Sequence, residues 1–135
     1  MKILREYIQR TLAFEPVVTT GRFSINGIPI SLEIADTPEK IQAGLMFREK
    51  LGDNSGMIFI FPDSRQRSFW MRNTKVPLSI AYADRDGKII NIEDMTPYSE
   101  KRVLSKGPAF CALEMPQGWF DSNKIEPGDI IAGVK

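Results

Sequence analysis

Apolar residues recur at several spacings along the chain, and each spacing implies a different element. Ile3, Leu4, Tyr7, Ile8 and Leu12 fall on one stripe at helical spacing, which predicts an amphipathic helix from about residue 2 to 13. After Pro16 the period becomes two. Phe23 and Ile25 lead into Asn26-Gly27, a strong two-residue hairpin signal. Ile28, Ile30, Leu32 and Ile34 then alternate with Pro29, Ser31, Glu33 and Ala35, giving a strand with one buried face. Asp36-Thr37-Pro38-Glu39 reads as a helix start, and that helix is expected to end near Phe47. Met57 to Phe61 is a continuous apolar run bounded by Gly56 and Pro62, too short for a helix, and predicts a strand buried on both sides. Further strands are expected over 68–72, 78–83, 88–92, 109–115 and 129–134, with a hairpin loop at Asp84-Arg85-Asp86-Gly87 and a helical turn near Trp119.

Many short strands, one internal helix and no regular βαβ alternation predict a mainly β fold. Its expected form is an antiparallel β-sandwich or jelly-roll-like, partly closed barrel with one or two short helices and an extra N-terminal helix. At 135 residues the chain holds one domain's core. Residues 1–15 read as the N-terminal extension and 16–135 as a single β-sandwich domain. The plainest role of the N-terminal helix is packing on its own domain, and a homodimer contact is the sharper alternative.

With 18 basic and 17 acidic residues the net charge is +1, so no global field favours nucleic acid. No stretch approaches the roughly 20 apolar residues needed to span a membrane. Lys2, Arg5, Glu6 and Arg10 interrupt the first segment, which lacks the hydrophobic run of a signal peptide. The single Cys111 excludes an intrachain disulfide and fits a reducing compartment, so a soluble cytoplasmic protein is the expectation. Histidine is absent, which removes Ser-His-Asp chemistry, Cys-His proteolysis and ordinary catalytic zinc. Met46, Met57, Met71, Met95 and Met115 would suit copper(I), but without Met-x-x-Met clustering they read as core filler. Asp84, Asp86 and Asp94 lack the spacing of a calcium loop. No metal and no cofactor are expected.

Several motifs remain: Gly44-Leu45-Met46 with Arg48, Gly56-Met57, Phe69-Trp70-Met71-Arg72-Asn73-Thr74, Pro77-Leu78, Asp84 to Gly87, Leu113-Glu114 and Gly128-Asp129. In this order and spacing they resemble the domain of unknown function 192 family. The resemblance covers Arg22 to Val134 and implies a compact β-sandwich of jelly-roll character, with no substrate or catalytic residue attached. Two departures stand out: the family usually has Asp where this chain has Ser79, and the N-terminal helix lies outside the match.

The candidate ligand-binding residues are Arg48, Trp70, Arg72, Asn73 and Glu114. On a strand, Trp70 and Arg72 share a face, offering an indole stacked with a guanidinium for a carboxylate, phosphate or sugar ring; the plainer reading is core packing. Arg48 near a helix end complements the helix dipole, and Asn73-Thr74 suits a turn before Pro77. Glu114 has little polar company along its strand, so pairing with Arg48 or Arg72 is expected. The favoured function is a small soluble binding module for an anionic or carbohydrate ligand or a protein partner. The alternative is a carboxylate-based, hydrolase-like enzyme using Glu114 with Asp36 or Asp129.

Overall fold

The computed structural model describes residues 18–134. The expected N-terminal helix therefore lies outside the described residues. β1 (Thr20–Ile25) and β2 (Ile28–Ala35) form the expected hairpin, with Ile25 opposite Ile28. Its turn works because Asn26 and Gly27 both take positive φ, 51° and 80°. α1 (Pro38–Ala43) follows, with Thr37 as its N-cap accepting the Lys40 N–H at 3.3 Å. It stops four residues short of the expected end. Gly44 takes φ +48°, outside the right-handed helical region, and its N–H closes on the Lys40 carbonyl. The expectation of Gly44 inside a helix is corrected to a C-cap.

β3 (Ser55–Arg65), β5 (Leu78–Ala83), β6 (Ile89–Met95) and β8 (Ala109–Pro116) build the body of a seven-stranded sheet, ordered β6-β5-β8-β3-β2-β1-β9. β9 is Ile131–Ala132, and α2 (Trp119–Ser122) lies between β8 and β9. β2 and β3 pair in parallel, which the antiparallel reading did not anticipate. The crossover through α1 brings β3 beside β2 in the same direction, as a helical connection permits and a tight turn does not. Gly56 is required at the β3–β8 approach: a Cβ there would stand 2.1 Å from the Glu114 carbonyl oxygen.

The sheet curls into a half-barrel. Its first and last strands meet at one end, where Lys88 bridges Ile130 and the Ile131 N–H donates to the Gly87 carbonyl. This strand order describes the mainly β, partly closed part of the expected fold. Inside the curl lie Ile25, Leu32, Ile58, Leu113, Phe120 and their neighbours. Each fully buried Leu or Ile contributes roughly 1.5–3 kcal/mol by leaving water.

A second apolar cluster occupies the other face, with Phe59, Leu78, Ile80, Tyr82 and Ala112 from the sheet covered by Leu45 and Met71. Burial on both faces explains the unbroken apolar run Met57 to Phe61 of β3 and the complete burial of β5. A two-stranded ribbon, β4 (Ser68–Phe69) with β7 (Val103–Leu104), lies against this face. The strand expected over 68–72 is thus two residues long. Beyond Phe69 the chain turns, the Met71 N–H donating to the Ser99 carbonyl and the Thr74 N–H to the Met71 carbonyl. No helix among the described residues is long and apolar enough to cross a membrane.

Candidate functional site

Between the outer face of the sheet and the segments that cover it is a cavity of 610 Å³. The end of α1 and the following turn contribute Ile41 to Met46, β4 and the residue after it contribute Ser68 to Trp70, and β3 and β8 contribute Phe59, Phe61 and Glu114. Gly44 lets the turn lie close to the sheet, with the Phe59 ring 3.5 Å from where its Cβ would be. Phe69 packs edge-on to Phe59, ring centroids 4.7 Å apart. The base is apolar and aromatic, and the rim is cationic: Phe59 and Glu114 are buried, whereas Arg72 and Arg102 are exposed.

The three arginines of the lining are placed differently. Arg67 lies over the Phe61 ring at 3.9 Å and donates to the Asp63 carboxylate and the Ala109 carbonyl. Both Arg65 and Arg67 donate to Asp63 and hold its carboxyl below the usual range. Arg72 and Arg102 stand 5.4 Å and 4.1 Å from the Trp70 ring, and neither forms a salt bridge among the described residues. Two guanidinium forks against one indole are thus left with donors to offer.

Glu114 is 4 % exposed, flanked in register by Met57 on β3 and Ile80 on β5. Its carboxyl has no hydrogen bond or ion pair among the described residues, and burial pushes it up to about 8. The expected tie to Arg48 or Arg72 is therefore corrected. Arg48 is instead clamped by both oxygens of Glu33, at 2.6 and 2.9 Å, and that bond raises its pKa despite partial burial.

A family profile, DUF192, described as Uncharacterized ACR, matches residues 21–133. The chain belongs to the DUF192 family. It is also similar to two crystal structures. One, from Sinorhizobium meliloti 1021, bears the name "putative transcription regulator"; it is 29% identical, with a TM-score of 0.82 over 87% of this chain and 95% of that one. The other is a protein of unknown function from Novosphingobium aromaticivorans DSM 12444, 34% identical, with a TM-score of 0.80 over 87% of this chain and 89% of that one. No curated protein matches the chain.

The DUF192 motifs converge on the cavity in part. Of the five candidate residues, Trp70, Arg72 and Glu114 line it; Arg48 and Asn73 do not. Asn73 is buried at φ 57°, its carbonyl accepts the Phe47 N–H, and its Nδ2 has no partner among the described residues. It joins the two motif segments at a turn. Asp36 and Asp129 also lie outside the lining; Asp129 is engaged by Asn26 and the Glu126 N–H. Arg102 and Arg67 were missed, because neither sits in a periodic segment. The only local signal was their charge. Cys111 is buried, its thiol pushed up to about 12 by desolvation, so it is no nucleophile. Among the described residues no three or more acidic or thiol side chains come together as a metal-holding group.

Proposed function

We propose that this DUF192 protein is a binding module for a small organic anion seated in the cavity beside Trp70. One observation carries the reading: Arg72 and Arg102 both face the Trp70 ring without a carboxylate partner, at the rim of a 610 Å³ cavity. That volume suits a small molecule. Paired guanidinium forks recognise a carboxylate or phosphate bidentately, while the Phe59, Phe69 and Trp70 rings take an apolar body. A cytoplasmic location belongs to the same reading and rests on the lone, buried Cys111.

The carboxylate-based enzyme keeps one support, a carboxyl protonated near neutral pH as a general acid requires. Its second carboxylate is missing from the lining.

A thermal-shift screen of organic acids, neutral sugars and nucleotides tests the proposal. Acids at a hundred times their dissociation constant are expected to add about 2.7 kcal/mol, and the R72Q/R102Q double variant should abolish that shift. Stabilisation by neutral sugars alone, or shifts unchanged in the double variant, would overturn it.

A further inference from the structure

An unpartnered carboxyl on an inner strand of a sheet is unusual. Other carboxylates on strands of the sheet are engaged: Glu33 by Arg48, Asp63 by Arg65 and Arg67, Asp94 by the Ser79 hydroxyl. Glu114 alone is nine-tenths buried, lines the cavity and meets only the apolar Met57 and Ile80 on its neighbouring strands. A hydrophobic residue would pack there without the cost of desolvating a carboxyl. What the geometry offers is one buried acceptor at the base and two free guanidinium groups at the rim.

We infer that the ligand is a zwitterion of amino-acid size, its ammonium met by Glu114 and its carboxylate by Arg72 and Arg102. This rests on the anion-binding reading above. A plain acid would satisfy the rim and leave Glu114 unpartnered. A plain amine would satisfy Glu114 but pass two uncompensated arginines. Only a molecule carrying both charges answers both ends, with its side chain against Phe59 and Phe69.

Binding is then linked to protons. The charged or titratable groups around Glu114 are Arg67, Arg72 and Arg102 of the lining and Tyr82 of β5, whose hydroxyl donates to the Val103 carbonyl. β3 and α1 contribute only uncharged residues to the lining. With its carboxyl pushed up to about 8, Glu114 is protonated at neutral pH and must release that proton to pair with an ammonium. Affinity should rise about tenfold per pH unit from 6 toward 8, level off, and fall again at the more alkaline pH where the ligand's own ammonium loses its proton.

Calorimetric titration with phenylalanine, phenyllactate, hydrocinnamate and phenethylamine, repeated with leucine and isocaproate, separates the outcomes. The amino acids are expected to bind at least tenfold tighter than their deaminated and hydroxy counterparts. They should release close to one proton at neutral pH, read as the difference in heat between phosphate and Tris buffers. E114Q should collapse the phenylalanine-to-hydrocinnamate affinity ratio to about one. The ratio and proton count are read on the wild-type protein and stand even if a variant fails to fold. Equal binding of amino and deaminated acids would overturn the zwitterion inference and leave the anion site standing. Phenethylamine binding as tightly as phenylalanine, or no acid binding at all, would overturn both.

Discussion

Glu114 decides the behaviour of the molecule at the scale of one residue. Its folded pKa of about 8 lies above the ordinary carboxylate range of the unfolded chain. Between those values the folded state holds a proton that the unfolded state has lost. Stability therefore falls as pH rises through that window, and the loss is complete above about 8. E114Q cannot ionise, so it should flatten this decline and be the more stable protein at pH 9 by a few kcal/mol. Thermal unfolding from pH 5 to 9 measures it, and parallel profiles for the two proteins would refute it. The sequence made Glu114's apolar neighbourhood legible, because alternate residues of β8 are Ala112 and Glu114 on one face and Cys111, Leu113 and Met115 on the other. The arginine pairing was not legible. Arg48 finds Glu33 on β2, fifteen residues upstream, and nothing local distinguishes that partner from Glu114. A double-mutant cycle on Arg48 and Glu33 should give a coupling of about 1 kcal/mol, modest because both groups are partly exposed. The Arg48–Glu114 cycle should be additive.

At the scale of elements, turn chemistry and short-range alternation carried furthest. Asn26-Gly27 placed the β1–β2 hairpin, and the apolar run Met57 to Phe61 of β3 reported burial on two faces. β4 fell within the strand expected over 68–72, but its partner β7 was illegible because it has two residues, too few for any period. Its position is set by contacts such as the Tyr82 hydroxyl donating to the Val103 carbonyl at 2.6 Å. The Gly-Met motif has a clear structural meaning. Gly56 sits on β3 where a side chain would enter the β8 backbone at Glu114 and the Met115 sulfur, 2.7 Å away. G56A should cost several kcal/mol, since the obstacle is central-strand backbone and cannot swing aside. Urea denaturation checks this, and a loss below about 1 kcal/mol would mean that the strands part without penalty. Ser79 is the contrasting case. Its hydroxyl accepts from the Gly118 N–H and donates to Asp94, so S79D would set a second carboxylate against Asp94 and destabilise the fold at neutral pH.

The whole molecule separates two tasks between the faces of one sheet. The inside of the curl is closed by the seam at Lys88 and Ile130 and filled by aliphatic and aromatic residues, while the outer face carries a second apolar cluster that the covering segments only partly fill. The cavity is that unfilled part. Its composition was not legible as a unit, because its lining comes from α1, β3, the ribbon, β8 and the loop bearing Arg102, scattered along the chain from Ile41 to Glu114. The same division bears on the N-terminal segment. Both clusters among the described residues begin at Phe23 or later, and the DUF192 match begins at residue 21. Among the described residues each face finds apolar partners within the matched region, and the seam holding the curl lies between residues 87 and 131. Deleting residues 1–14 should leave a folded, mainly β domain with lower stability or a changed oligomeric state. Far-ultraviolet dichroism and a thermal melt test it alongside sedimentation of both chains. A truncated chain without a cooperative transition would show that one face needs the N-terminal segment to complete its core, and the cavity face, being the less filled, would be where to look.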